Sequence, residues 1–249
     1  EFIDLKYLYV ELQTSAYYNP NLNDDPENLK TSISNALTQY SRSIDVNKFG
    51  GRFKYSKALN IIDDIDTAIT SNITRVKIRR NLRAVLNSFA QYELCFGNQF
   101  RINQEGKNIK STGFTIEGEN EIVYITDIPN KDNNGNLDGS GLGVISIVRE
   151  DSLRNTVVVV KSAGTVDYIH GEIILTTVNI TSTVKENNVI EIQAFPDSND
   201  VVGLKDLYLD FSISNTTINM VKDTITSGEQ ISGVGFKVTS SYSNGELTR

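Results

Sequence analysis

The sequence predicts an α+β fold, with a small α+β N-terminal part at residues 1–110 and a mainly antiparallel β part at residues 111–249. Three observations point there. Two stretches before residue 70 place apolar residues three and four apart. After residue 111, short β-branched runs are separated by Gly, Asn, Asp and Pro. The charge also changes sign near the same place: residues 1–110 hold 15 Lys+Arg and 12 Asp+Glu, and residues 111–249 hold 9 and 19. Such asymmetry suits two modules with complementary surfaces, and the net charge of -7 argues against a general nucleic-acid binder.

The opening "LKYLYVELQTSAYY" alternates aromatic and β-branched residues with polar ones, so a strand is expected. After the turn-rich "NPNLNDDPENL", Asp25 stands at an N-cap position, Pro26 at the first helical position and Glu27 in the first turn. Leu29, Ile33, Ala36, Leu37 and Tyr40 then mark one face of a helix over 26–43. In "NKFGGRFKYSKALNIIDDID", Gly50 and Gly51 form a tight turn ahead of a second amphipathic helix whose face is Tyr55, Ala58, Leu59, Ile62 and Ile65. Asp63 and Asp64 fall at its C-terminus, where the macrodipole disfavours anions, so a salt-bridged or solvated helix end is expected. Val76 and Ile78 alternate with Arg75, Lys77 and Arg79, the pattern of a strand with one cationic face, and residues 84–96 fit either a strand or a helix by pattern, with a strand favoured.

Beyond residue 111 the strands are "EIVYITDI", "LGVISIV", "TVVVVKS", "GEIILTTVNIT", "NVIEIQAF" and "LKDLYLDFSIS". No period of a repeat protein is present.

The catalytic and metal templates are not met. Gly50-Gly51 is followed by Arg52-Phe53 and lacks the Lys-Ser/Thr of a phosphate loop, and no dinucleotide fingerprint occurs. In "KDNNGNLDGSGLG", Asp132, Asn134, Asn136 and Asp138 alternate like calcium ligands, yet the sixth position is Leu137 and the twelfth is Gly143, which suits a hairpin tip. His170 is the single histidine and belongs to a turn, so His-cluster zinc sites and His-based triads lose support. Ser140 lies between glycines at the wrong spacing for a nucleophile elbow. The lone Cys95 excludes an intramolecular disulfide and is expected to be a buried small hydrophobe. The Asn-x-Ser/Thr matches at Asn72, Asn179 and Asn215 are expected by chance in so Asn/Thr-rich a chain. No catalytic, cofactor-binding or metal-binding residue is therefore expected, and no membrane-spanning run occurs. The basic strand residues Arg75, Lys77, Arg79, Arg80 and Arg83 lack the interleaved aromatics of a single-strand nucleic-acid platform and read as a solvated strand face or, alternatively, as a docking surface for an acidic protein partner. Glu1, not Met, opens the chain, which suggests a piece of a longer protein; Glu1-Phe2 carries no weight.

One stretch resembles a known family. "YSRSIDVNKFGGRFKYSKALNIIDDIDTAITSNITRVKIRRNL", residues 40–82, is similar to the core of baseplate-J-like wedge proteins of contractile-tailed phages. The likeness lies in a Phe-Gly-Gly-x-Phe-x-Tyr-Ser-x-Leu-like run at Phe49 to Leu59 and an Ile-Asp pair at Ile62-Asp63. It continues in an Asp-x-Ala/Ser-Ile-x-Ser-Asn link at Asp66 to Asn72 and an Arg-x-Lys-x-Arg strand at Arg75 to Arg79. The whole chain is similar to the C-terminal part of the large ring-forming wedge subunits of T-even-type phages. The resemblance implies a structural virion protein without catalysis or cofactor, assembled in the host cytoplasm. It implies self-association as a dimer and a higher ring, contacts with other baseplate wedge proteins, and rearrangement when the sheath contracts. The alternatives are a β-rich host-receptor or glycan-binding module using residues 111–249, which the absence of Trp weakens, and a calcium-dependent or hydrolytic enzyme.

Overall fold

A computed structural model describes residues 6–151, 153, 155–225, 242–243 and 246–247. The chain is mostly β, with 49% strand and 14% helix, and it contains a β-barrel.

The N-terminal sheet is built around β1 (Tyr7–Tyr18), which runs antiparallel to β3 (Ile69–Arg83) from Tyr9↔Arg79 to Tyr18↔Ile69. Between them in sequence lie α1 (Pro26–Ser41), the two-residue β2 (Arg52–Phe53) and α2 (Tyr55–Asp63). Helix α1 starts where its sequence predicts, with Asp25 Oδ1 accepting from the Asn28 N–H at 3.0 Å and Pro26 in the first turn. It ends two residues short of the expected boundary. Leu29, Ile33, Leu37 and Tyr40 are buried, each aliphatic among them contributing about 1.5–3 kcal/mol. Of the face expected for α2 only Ala58 and Ile62 are fully buried; Tyr55 and Leu59 are half-buried, as is Ile65, which lies beyond the end of the helix. The alternating side chains Leu8, Val10, Leu12, Thr14 and Ala16 of β1 are buried beneath these helices, while Tyr7, Tyr9, Gln13 and Ser15 lie on the opposite face.

The remaining strands follow as β4 (Phe89–Cys95), β5 (Lys110–Ser111), β6 (Phe114–Ile116), β7 (Glu119–Pro129), β8 (Leu142–Glu150), β9 (Thr156–Asp167) and β10 (Glu172–Thr183). Strand β7 pairs with both β6 and β8, β8 with β9, β9 with β10, and β10 returns to β6, which closes a five-stranded ring. Its interior holds Val123, Ile125, Ile145, Ile147, Leu175 and Ile180. β4 attaches to the outside of the ring along β10.

The chain then comes back. β11 (Val189–Ala194) pairs with β3, β12 (Val201–Val202) with β2, and β13 (Tyr208–Phe211) and β14 (Thr217–Lys222) both run parallel to β1. The expected boundary at residue 110 falls on β5, which bridges β11 of the sheet to β7 of the barrel. A last pair, β15 (Tyr242–Ser243) and β16 (Glu246–Leu247), forms its own two-stranded sheet. Among the described residues, no helix is long and apolar enough to cross a membrane.

A candidate docking surface on the open sheet

The alternation of β3 divides its cations between two faces. Val76, Ile78, Arg80 and Leu82 point to the core side, while Arg75, Lys77, Arg79, Asn81 and Arg83 lie on the uncovered side. Arg75 and Arg83 are exposed, and Lys77 is half-buried with its Nζ 5.8 Å from the centre of the Phe195 ring.

Arg79 is different. It is 6% exposed, its Nε donates to Glu11 Oε1 and its Nη1 to Asn81 Oδ1 and, at 3.2 Å, to Glu191 Oε1. Its guanidinium also lies 4.1 Å from the centre of the Tyr9 ring, and Gln193 Nε2 donates to Glu11 Oε2 at 3.0 Å. The fork geometry of one guanidinium thus ties β1, β3 and β11 together. Nearby on β13, burial raises the Asp210 carboxyl above its ordinary value, and Arg79 partly offsets this. Tyr9, stacked on Tyr7 at 5.6 Å, continues into an aromatic row in which Tyr7 meets Tyr208 edge-on at 5.6 Å and Tyr208 meets the half-exposed Phe49 at 5.4 Å.

Arg80 departs from the expected cationic face in another way. It sits on the core side, 9% exposed, with Nη1 donating to the Cys95 carbonyl, while Nε has no hydrogen-bond partner. Burial lowers its pKa from the ordinary value.

The glycine pair is a seat for the returning chain. Gly50 has φ +61°, a left-handed conformation that costs glycine little, and its N–H donates to the Leu204 carbonyl at 3.1 Å. A Cβ on Gly51 would stand 2.0 Å from the Val46 carbonyl oxygen, and the Gly51 carbonyl accepts from Gly203 N–H at 2.7 Å. Both glycines thus serve the packing of residues 201–209 against the loop before α2.

The other singled-out residues take local roles. Asp63 and Asp64 are exposed, and Asp63 accepts from the Asn72 amide at 2.7 Å, which fits the solvated alternative for this helix end. In the 131–143 hairpin tip, Asp132 Oδ1 accepts from the Asn134 and Asn136 N–H groups, and Asp138 from the Ser140 N–H and hydroxyl, which hold the Asp138 carboxyl below its ordinary value. Among the described residues no three His, Cys, Asp or Glu side chains gather as a metal group. His170 lies in the β9–β10 turn with Nδ1 2.8 Å from Asp167 Oδ2. Cys95 is half-buried, short of the full burial expected, and its thiol donates to Glu172 Oε1 at 3.6 Å; burial raises its pKa. The partners Glu11 and Glu191 were not among the expected site residues. Glu11, alternating with Tyr9 and Gln13 on β1, carried the signal that could have marked it as cross-strand to Lys77 and Arg79.

The open sheet face presents tyrosines and cations beside a closed barrel, and among the described residues Arg79 is paired within the sheet with Glu11 and Glu191. Residues 6–81, from β1 through most of β3, match the family model described as Baseplate structural protein gp6, C-terminal domain III. That match supports a structural protein of the phage tail baseplate, within the virion and assembled with other baseplate proteins. No curated protein matches the chain.

Proposed function

We propose that the chain is the C-terminal part of a large, ring-forming baseplate wedge subunit of the baseplate-J-like kind, acting through contact and without catalysis. It self-associates, binds other wedge proteins into a ring around the tail tube, and shifts with them when the sheath contracts. The observation that carries this reading is the match over residues 6–81, which coincides with the strands that form the open face. Docking on that face falls to Arg75, Lys77 and Arg83, with Arg79 positioning the sheet beneath them.

Grouped by strand pairing and not by sequence order, residues 6–83 with 189–225 go with the sheet and residues 84–188 with the barrel. The first group holds 14 Lys+Arg and 14 Asp+Glu, and the second 8 and 13. The acidity belongs to the barrel, which supports contact between barrels and cationic patches of neighbouring subunits. Sedimentation of the purified chain at micromolar concentration, with co-purification against other baseplate proteins, tests the reading. Dimers or larger species and stable co-elution are expected. A strict monomer that retains none of those proteins overturns it.

A further inference from the structure

Pairing of β1 with β3 stops at Tyr9↔Arg79, while Tyr7 and Leu8 stay paired with β13 on the other edge of β1. Beyond that point Arg80, Asn81 and Leu82 have a strand partner only on the β11 side among the described residues. β4 follows the 84–88 turn and, among the described residues, is paired along one side, with β10. Two strand edges, β3 at Arg80–Leu82 and β4 at Gln91–Leu94, therefore border a groove of about 450 Å³. Exposed strand edges of this kind are templates for added strands.

The groove is also charged and aromatic. Among the described residues, Lys6, Arg80 and Arg83 line it together with the carboxylate of Glu93, and Tyr7 and Tyr92 supply flat walls. Arg80 is more than nine-tenths buried and still has an unpartnered Nε, an arrangement that costs stability unless something else accepts from it.

We propose that this groove binds an extended acidic segment of a partner protein, which adds a strand to the edge of β3 or β4 and places a carboxylate against Arg80. Backbone pairing supplies affinity, and the cations select the sign of charge. The inference deepens the docking reading above by naming a site and a partner conformation. It is measured on the isolated chain, so it stands or falls separately from baseplate assembly.

The test uses the full chain and three fluorescein-labelled peptides: one alternating Glu with Val, one alternating Lys with Val, and the Glu peptide with alternate N-methylated amides. Anisotropy is expected to show binding of the Glu peptide, at least about tenfold weaker binding of the Lys peptide, and loss with N-methylation. Lys6→Glu with Arg83→Glu, both at exposed positions, is expected to weaken the Glu peptide by at least about tenfold. Arg80→Met is expected to weaken it as well. Amide hydrogen exchange at Asn81–Leu82 or Gln91–Leu94 slows when the peptide binds. Equal binding of all three peptides, no binding, or indifference to the charge reversals overturns the proposal. So does a groove whose amides are already protected in the free chain, since the chain itself would then fill it.

Discussion

The open sheet and the closed barrel bury charge by opposite means. In the sheet, Arg79 is shared by Glu11 and Glu191 from two neighbouring strands, and Lys185 pairs with the second oxygen of Glu191, so two cations meet two carboxylates. In the barrel, Asp127 on β7 is fully buried with no cation paired to it among the described residues; its Oδ1 accepts from the Ile109 N–H at 2.6 Å and its Oδ2 from the Tyr168 hydroxyl at 2.7 Å. Burial raises both the Asp127 carboxyl and the Tyr168 hydroxyl above their ordinary values. The difference follows from closure. A ring satisfies its edges within itself and needs only neutral donors to fasten the loop that enters it, whereas an open sheet needs fixed charges to hold strands brought together from distant parts of the sequence.

The largest expected effect breaks the sheet side of that comparison. Arg79→Ala leaves Glu11 buried without its cation and should lower unfolding free energy by about 3–5 kcal/mol, read as a fall in urea midpoint. Combining Arg79→Met with Glu11→Gln should recover most of the loss, because no unpaired buried charge then remains at that position. The barrel counterpart is smaller: Tyr168→Phe removes one donor from Asp127 and should cost about 1–3 kcal/mol.

Asp127→Asn sharpens the contrast through pH. With the folded pKa raised, the stability linked to the protonated carboxyl is fully present below the ordinary Asp value near about 4 and is lost as pH rises through the raised one. Asn keeps an acceptor for Ile109 and offers its amide to the Tyr168 oxygen. Melting curves of Asp127→Asn should therefore lack the downward slope with pH that the parent shows. At the helix that roofs the sheet, Asp25→Ala should cost about 1 kcal/mol of chemical stability through loss of the cap.

The smallest effect is at the barrel rim. Asp167 raises the His170 pKa, so the pair's contribution is present below about pH 6.5 and is lost as pH rises through the raised value. His170 is fully exposed, so His170→Ala should alter only that shallow pH dependence of the melting temperature.

Local chemistry made much of this legible in the sequence. The cap at Asp25, the spacing of Leu29, Ile33 and Leu37, and the alternation around Val76 and Ile78 each specify an element within a few residues, and α1, β1 and β3 follow from them. What escaped was long-range register. Arg79 and Arg80 are neighbours of the same type, yet one faces two carboxylates and the other the core. Alternation with Val76 and Ile78 already puts Arg80 on the core side, but only pairing with β1 and β11 brings Glu11 and Glu191 to Arg79. The contiguous halves in the charge count miss the return of residues 189–222 to the first sheet for the same reason. Closure of the ring through the three-residue β6 leaves almost no periodic signal.

The parallel alignment of β14 with β1 has a mechanical consequence. β1 begins at Tyr7 and β14 ends at Lys222, at opposite ends of a shared ladder from Gln13↔Thr217 to Tyr18↔Lys222. Tension applied between the residues before Tyr7 and those after Lys222 would act along the strands, so the rungs of that ladder would share the strain at once and would not unzip singly. Rupture would then be governed by the unfolding rate of the sheet as a whole. A module built this way can transmit a pull through itself while its barrel stays undeformed.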